Sequence, residues 1–466
     1  MTPATREREV RIRNAERLRS HGHGSLRGAA LEIATAGLAA CDAYGATVAA
    51  VAPSADGIRV GDVDHPLAPG ARLVVLGAGK ATLAIAMGLE DVLGDRIDAG
   101  AIIIRRGEEA DLERLEVMVA DHPLPTADSE AAARRLLELA DGLGPDDLVL
   151  ACFTGGSSAL ASLGPVGVPL EHKRDLHECL LGAGMPINEI NAVRKHVSEI
   201  KGGRLAERIA PARIVNLTVS DVAGNHLDLI TDPTVPDSSS TEEAISILQR
   251  HGLWDEVPET VTRHLRGEGP RSPHSPALDH GRIWTELLVD GEIASAAMVD
   301  AGAQLGLRPV ILTTTMEGEA REMGRFVADL CRSSAERGYP FAPGTVLVGC
   351  GGENSVKLEP GTGFGGGGPG QEAAVAAALE LDGTPVATVF MDTDGSDGGT
   401  DAAGAIADGL TGARAVELQL DLAAALHAHG VRPPLVDLDD LIVTGPTGTN
   451  VNDLFVAVIG DPETQL

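Results

Sequence analysis

The residues best suited to chemistry lie in short loops that follow apolar runs of the sequence. The first loop is contained in VVLGAGKAT, residues 74–82, where an apolar run is followed by Gly77, Gly79 and Lys80. A Walker A phosphate-binding loop requires a glycine five positions before Gly79, and Val74 stands there. A dinucleotide-binding turn requires a third glycine at position 82, which is a threonine. The loop therefore predicts an anion site made by helix N-terminal amides and Lys80, with an ordinary glycine turn as the alternative.

Two further segments of the first half combine flexible backbone, hydroxyl groups and positive charge. In TGGSSAL, residues 154–160, glycines free main-chain amides and serines add donors for anionic oxygens, or the segment is a plain turn. In INAVRKHVSEIKGGRLA, residues 190–206, basic side chains are concentrated in an acidic protein, with a solvated helix face as the alternative. The candidate binding residues in these segments are Gly155, Gly156, Ser157, Ser158, Asn191, Arg194, Lys195, Lys201 and Arg204.

Carboxylates and amides occupy similar places elsewhere in the chain. Asp221 is the last residue of the run ARIVNLTVSD, where a carboxylate can act as a general base or a magnesium ligand, or close an Asx turn. The segment DTDGSDGGTDAAG, residues 392–404, is not a calcium loop, since its sixth and twelfth positions are Asp397 and Ala403. The glycine loop GFGGGGPGQE, residues 363–372, is able to wrap a phosphate, with a mobile loop as the alternative. The candidate ligand-binding residues of the second half are Gln371, Glu372, Asp394, Thr447, Thr449 and Asn450.

These loops need elements to position them, and apolar runs alternate with amphipathic stretches along most of the chain. In the first half the runs RLVVLGAG, AGAIIIRRG, DDLVLACFTGG and ARIVNLTVSD predict buried strands. In the second half RPVILTTTM, GTVLVGCGG and PVATVFMDTDG do the same. This alternation predicts an α/β fold with mainly parallel sheets, whose ligands bind beyond the carboxyl ends of the strands.

Length and composition predict two domains and exclude several classes of partner. The chain has 466 residues, and the segment 266–282, rich in proline, glycine and serine, is the predicted linker between domains at 25–270 and 283–466. A net charge of −31 and an aromatic content of 2% argue against nucleic acid and membrane partners. Five cysteines without a CxxC pair, and a charged N-terminus without an apolar core, favour a reduced cytoplasm and no zinc site.

The order of these motifs resembles the glycerate 2-kinase family, whose second half is called the MOFRL domain. The matching phrases are GAGKA, HPLP, GGSSAL, INAVRKHVSEIKGGRLA, SDVAGNHLDLI with PTVPD, DGSDGGTDAAGAIADG and TGPTGTNVNDL. The similarity covers roughly residues 31–459. The resemblance implies a Rossmann-like N-terminal domain, a MOFRL region at about 344–463, and an active site in the interdomain cleft.

The resemblance also implies a reaction, the phosphorylation of D-glycerate to 2-phosphoglycerate with ATP and Mg2+. Lys80 matches the family's proposed active-site lysine and Asp221 its active-site aspartate. Charge assigns Lys80 to the transferring phosphoryl group and Asp221 to the acceptor hydroxyl or to magnesium, while Arg194 and Lys195 hold the substrate carboxylate or phosphates. The expected partner is a small hydroxy acid, and a homodimer is left open. The alternatives are a kinase for another short sugar acid and an NAD(P)H-dependent hydroxypyruvate reductase.

The chain departs from the family pattern at three places. Pro369-Gly370 replaces the Arg-Asn that usually precedes Gln-Glu in the glycine loop, so an arginine contact is missing there. The segment 154–157 reads Thr-Gly-Gly-Ser where the family usually has Ser-Gly-Gly-Gly, and 231–233 reads Thr-Asp-Pro where it has Ser-Gly-Pro. These departures leave open a different acceptor acid or weak activity.

Overall fold

The computed structural model describes residues 10–183, 185–222, 230–268, 280–358 and 365–461. Its helices are, in chain order, α1 (Ala15–Leu18), α2 (Gly24–Ala40), α3 (Ala43–Ala50), α4 (Thr82–Leu93), α5 (Ala127–Ala140), α6 (Ser157–Leu160), α7 (Leu170–Gly182), α8 (Ile187–His196), α9 (Arg204–Ile209), α10 (Thr241–Arg250), α11 (Glu259–Leu265), α12 (Gly291–Gln304), α13 (Ala320–Arg337), α14 (Pro369–Glu380), α15 (Thr411–Glu417), α16 (Leu422–His427) and α17 (Arg432–Leu438). Its strands are β1 (Val51–Pro53), β2 (Gly57–Val60), β3 (Val63–Pro66), β4 (Leu73–Ala78), β5 (Ala99–Arg105), β6 (Glu116–Ala120), β7 (Leu148–Phe153), β8 (Arg213–Val219), β9 (Ile283–Val289), β10 (Arg308–Met316), β11 (Thr345–Gly351), β12 (Val386–Asp392), β13 (Gly404–Asp408), β14 (Leu441–Ile442) and β15 (Asp453–Ile459).

The described residues form two compact units. Unit 1 contains those within 43–220 and 226–288, and unit 2 contains those within 6–42, 221–225 and 289–466. The expected domains at 25–270 and 283–466 differ from this division at the N-terminus. Helix α2 packs against α12 and β15 of unit 2, because its buried leucines and alanines cover apolar surface there. Most of the predicted linker, residues 269–279, lies outside the described residues.

Unit 1 contains the predicted parallel sheet. Its strand order is β6-β5-β4-β7-β8-β9, and the first five of these strands pair in parallel. Numbered by their occurrence, the five strands run 3-2-1-4-5, the order of the Rossmann fold. Strands β4 and β7 are buried throughout, as their continuous apolar sequences require. The topological switch point therefore lies between β4 and β7, where ligands of this fold bind.

One face of this sheet packs on helices α5 and α9 through Val74, Leu76, Leu136 and Leu205. Unit 1 also contains a small antiparallel sheet of β1, β2 and β3, which the sequence patterns did not indicate. Among the described residues no single helix is long and apolar enough to cross a membrane, and only the bent pair α2 with α3 passes that test jointly.

The sheet of unit 2 corrects the expectation of mainly parallel strands for this half of the chain. Its order is β10-β11-β15-β12-β13-β14, in which β10 and β11 are parallel and all the other neighbours are antiparallel. Strands β11, β12 and β15 are fully buried. Their continuous apolar sequences therefore do not distinguish parallel from antiparallel pairing with the neighbouring strands. Helices α13 and α14 pack closely because residue 324 is a glycine. A Cβ at that position would stand 2.2 Å from the carbonyl oxygen of Ala373.

Candidate active site

The loops that follow β4 and β7 are bonded to each other at the switch point of unit 1. The amide of Lys80 donates to the carbonyl oxygen of Gly155 at 2.9 Å, and the amide of Thr154 donates to that of Ala78 at 3.1 Å. The amide of Ala81 donates to the Thr154 hydroxyl at 3.1 Å. The first two predicted loops therefore form one structure, in which Lys80 lies beside the glycines of the second loop.

Close approach of these loops explains their glycines. Gly79 has φ +141°, and a Cβ there would stand 2.2 Å from Thr154 Oγ1. Gly156 has φ +88°, and its Cβ would stand 3.2 Å from Lys80 Cγ. Because the amides of Lys80 and Ala81 donate their hydrogen bonds to the second loop, these two amides are not available to bind an anion.

The basic segment at 190–206 brings several predicted residues together. Arg194 Nη1 donates to Ser158 Oγ at 3.5 Å and to Asn191 Oδ1 at 3.4 Å. Its Nη2 lies 2.6 Å from Nδ1 of His177. Burial, followed by the nearby Arg194 charge, lowers the pKa of His177 to about 3, so the imidazole is neutral and can accept from the guanidinium. Burial also lowers the pKa of Arg194, to about 10, which leaves it charged at neutral pH.

A pocket opens beside this arginine, and we name it the cationic pocket. Its polar lining consists of Ser158, Ser162, Lys173, His177, Arg194 and Lys201. Sequence reasoning missed Ser162, Lys173 and His177. A signal for Lys173 was present, because it lies on α7 at helical spacing from the buried Leu176 and Leu180 and so faces the interior.

The other basic residues of the segment have partners within the protein. Lys195 Nζ lies 2.6 Å from Asp237 Oδ1, and both side chains are largely buried. Arg204 Nη1 donates to the carbonyl oxygens of Lys195 at 2.7 Å and Lys201 at 2.9 Å. These contacts hold the segment to the chain around Asp237. A direct contact of Lys195 with the substrate stays a prediction.

The departure at 231–233 has a structural role. Asp232 Oδ1 accepts from the amide of Thr234 at 2.6 Å and from its hydroxyl at 2.7 Å, which closes an Asx turn. The carbonyl oxygen of Asp232 accepts from the amide of Gly202 at 3.0 Å. The aspartate thus supports the glycines that follow Lys201.

The predicted carboxylate Asp221 belongs to unit 2, where it meets another predicted residue. Asn450 Nδ2 donates to Asp221 Oδ2 at 3.1 Å, and the Asn452 side chain donates to the Asp221 carbonyl oxygen. The turn predicted after Asp221 falls on residues 223–229, outside the described residues. Within the described ranges, no group of three or more His, Cys, Asp or Glu side chains is placed to hold a metal ion. Magnesium needs only one or two protein carboxylates when phosphates supply further oxygens, so Asp221 and the amide oxygen of Asn450 fit it chemically.

The predicted residues Asp394 and Thr447 meet in a turn of unit 2. The amide of Asp394 donates to Asp392 Oδ1 at 2.8 Å, and Asp394 Oδ1 accepts from the amide of Ser396 at 2.7 Å. The Thr447 hydroxyl donates to the carbonyl oxygen of Thr393 at 2.6 Å. These bonds join the segments at 392–404 and 444–454.

The glycine loop before α14 surrounds a carboxylate of the protein itself. Asp397 accepts from the amides of Gly370 at 3.0 Å and Gln371 at 2.9 Å. A Cβ on Gly368 would stand 2.2 Å from Asp397 Cγ, so the glycine is needed for this approach. The two amides thus hold Asp397 instead of a phosphate. Residues 359–364 lie outside the described residues.

The remaining candidate of this loop, Glu372, is buried in an ion-pair network. Arg321 Nη2 lies 3.0 Å from Glu372 Oε2, and His429 Nδ1 lies 2.8 Å from Glu372 Oε1. Neighbouring Gln371 is also buried, and its Nε2 donates to Thr400 Oγ1 at 3.0 Å. Arg321, from α13, therefore supplies a guanidinium beside the helix turn whose usual family arginine is replaced by Pro369-Gly370.

The fold is that of an α/β protein in which Lys80 lies at the switch point of a Rossmann-order sheet. Residues 29–266 match a family described as a domain of unknown function, DUF4147, and residues 346–453 match the MOFRL family. A protein named glycerate 2-kinase from Pyrococcus horikoshii is 37% identical over 90% of this chain and 94% of its own length. A protein named D-glycerate 2-kinase from Thermotoga maritima is 38% identical over 83% of this chain and 91% of its own.

A solved structure agrees with these sequence matches. A crystal structure of glycerate kinase from Thermotoga maritima superposes with a TM-score of 0.76 at 34% identity, covering 92% of this chain and 98% of that one. The chain belongs to the glycerate 2-kinase family. The family predicted from the sequence motifs is confirmed.

Proposed function

We propose that the protein transfers the γ-phosphoryl group of ATP to the 2-hydroxyl of D-glycerate, with Mg2+, and that it does so in the cytoplasm. Similarity over most of the chain to proteins named glycerate 2-kinase supports this proposal. The structural observation that carries it is the position of Lys80 at the switch point of unit 1. Lys80 lies in the loop after β4, which is hydrogen-bonded to the loop after β7, and we call these two the interlocked loops. Phosphoryl transfer depends mainly on positioned positive charge, which these loops provide.

Each candidate residue has a defined task in this proposal. The acceptor oxygen forms a bond to the γ-phosphorus as the bond from that phosphorus to the leaving ADP oxygen breaks. Lys80 stabilises the charge on the transferring phosphoryl oxygens, and Arg194 holds the substrate carboxylate or phosphates. Asp221 accepts the hydroxyl proton, or alternatively ligates magnesium. Bound Mg2+ would neutralise charge on the phosphate oxygens.

Two substitutions test these tasks. In an assay of glycerate-dependent ADP release, we expect Lys80→Met to lower kcat about 100-fold or more, since electrostatic stabilisation of the transition state is lost. Asp221→Asn should lower it by a similar factor while keeping an oxygen beside Asn450. Lys357→Met, at an exposed lysine of unit 2, is the matched control and should keep wild-type turnover. Full turnover by Lys80→Met would refute its role.

A second candidate is a kinase for another short hydroxy acid, and the observation that favours it is the Pro369-Gly370 departure. The amide of Gly370 donates its hydrogen bond to Asp397. It is therefore not available to make the contact that the usual family arginine would make at this place. A panel of short hydroxy acids in the same assay decides between the acceptors. NADH with hydroxypyruvate serves as the control for a reductase. That activity is disfavoured because Thr82 stands in place of the third glycine, with its hydroxyl donated to the Cys152 carbonyl oxygen at 2.8 Å.

A further inference from the structure

The cationic pocket of unit 1 brings together three basic side chains. Lys173, Arg194 and Lys201 all line it, and no ion pair with a carboxylate is found for any of the three among the described residues. Both lysines are almost fully buried, with side-chain surroundings that belong to unit 1. Buried charges in proteins are ordinarily paired, so an unpaired buried ammonium either loses its proton or needs a bound anion.

Several donors around the pocket also lack partners among the described residues. Lys173 Nζ donates to the carbonyl oxygen of Leu163 at 3.0 Å, and Lys201 Nζ donates to that of Ala161 at 2.8 Å. An ammonium can donate three hydrogen bonds. In the described part of the chain each of the two lysines makes only the one named here. Arg194 Nε and the hydroxyl of Ser162, which is 1% exposed, have no partner there. Orphaned buried donors of this kind call for an acceptor in the pocket.

The space enclosed between these side chains is small. It amounts to about 20 Å3, just above the roughly 10–15 Å3 that one buried water needs. The enclosed part of the pocket therefore admits one oxygen atom of a carboxylate or phosphate group, and it is too small for a nucleotide.

The electrostatic surroundings show what such an acceptor would change. Burial, followed by the charges of Arg194 and Arg204, lowers the pKa of Lys173 to about 7. Burial and the Lys173 charge also lower the pKa of Lys201 well below its usual value. The negative charges of Glu130 and Glu199 raise the pKa of Lys173 and so partly offset this lowering. His177 lines the pocket, and the charge of His122 helps to lower the pKa of His177.

We propose that the cationic pocket binds one small oxyanion, a carboxylate or phosphate group, between Lys173, Lys201, Arg194 and Ser162. The natural source of the anion rests on the proposed function, because the acceptor acid and its phosphate ester both carry such a group. Anion binding itself does not depend on turnover. Lys173 and Ser162 are thereby assigned to substrate or product binding.

The test measures binding of sulfate to the full-length protein by isothermal titration calorimetry without ATP. Sulfate stays doubly charged between pH 6 and 9, so a pH dependence reports protein groups. We expect affinity to fall about 10-fold or more from pH 6 to 9, since Lys173 loses its proton over this range. Buffers of different ionisation enthalpy should show net proton uptake at pH 7. Absence of sulfate binding by the wild type would overturn the proposal.

Variants locate the site within the chain. We expect Lys173→Met to weaken sulfate binding about 10-fold or more, through loss of a charge-assisted hydrogen bond. Ser162→Ala should weaken it about 3- to 10-fold and removes only a hydroxyl, so it decides the matter if Lys173→Met fails to fold. Lys357→Met should bind as the wild type. Wild-type affinity in both pocket variants would refute the assignment.

Competition identifies the source of the anion. Displacement of sulfate by D-glycerate assigns the pocket to a carboxylate, whereas displacement only by inorganic phosphate and 2-phosphoglycerate assigns it to a phosphate group. Failure of all three would overturn its assignment to substrate or product. A protein that binds sulfate but releases no ADP refutes only the proposed function, and one that phosphorylates glycerate without binding sulfate refutes only the pocket.

Discussion

Substitution of Gly156 tests whether the interlocked loops of unit 1 position Lys80. In Gly156→Ala the new Cβ would stand 3.2 Å from Lys80 Cγ, where ordinary contacts lie at 3.4–4 Å. The alanine must also adopt a left-handed backbone, with φ near +88°, at a cost of about 1–2 kcal/mol. Lys80 must therefore move by a few tenths of an ångström. Since a misplacement of about 1 Å can cost about 100-fold in rate, we expect kcat/KM to fall about 10-fold.

Gly142→Ala is the matched control for this experiment. Gly142 has φ +73°, and a Cβ there would meet nothing within 4 Å. Both variants should lose about 1–2 kcal/mol of unfolding free energy in urea titrations, because both impose a left-handed alanine. Only Gly156→Ala should lose activity with D-glycerate and ATP. Equal kcat/KM in the two variants would refute the claim that this loop positions Lys80.

Unit 2 offers two further predictions. Arg27 is fully buried with its Nη1 3.1 Å from Asp408 Oδ2, so Arg27→Met should lower the unfolding free energy by about 3–5 kcal/mol. Arg59→Met, at an exposed ion pair of unit 1, should lower it by less than about 1 kcal/mol, and similar losses in the two variants would contradict the reasoning. Burial raises the pKa of Asp397 to about 7 and that of Asp453 to about 8. The folded state then holds protons that the unfolded state releases, so stability should fall as pH rises from about 4 to 8. Asp453→Asn should flatten this slope in thermal unfolding scans, and an unchanged slope would exclude Asp453 as its source.

The fold of unit 1 was predictable because its signals are local. Apolar runs such as 73–78 and 148–153 are too short and too β-branched for helices, and glycine turns follow them. Alternation with helices then requires parallel pairing, which the structure confirms. In unit 2 the same kind of run at 386–392 pairs antiparallel with β13 and β15. The sequence of a strand that is buried on both faces is apolar throughout, so it does not show whether the neighbouring strands run parallel or antiparallel to it.

The candidate site was predictable where one loop carries the chemistry and not where distant elements supply it. Lys80 and Asp221 each follow a strand, which is a position that sequence reveals. Lys173 and Ser162 reach the cationic pocket from different segments, and only their burial links them to Arg194. Conversely, Lys195 carries the same charge as Lys201 in the sequence, yet it is paired with Asp237.

The most direct test of the central claim is the identity of the product. The purified protein is incubated with ATP, Mg2+ and D-glycerate, and the products are followed by 31P nuclear magnetic resonance. The account predicts that ADP appears together with 2-phosphoglycerate in equal amounts, and that both form about 100-fold or more slowly when Lys80→Met replaces the wild type. A phosphate ester at another hydroxyl, or no phosphorylated acid while the folded protein still binds ATP, would contradict it.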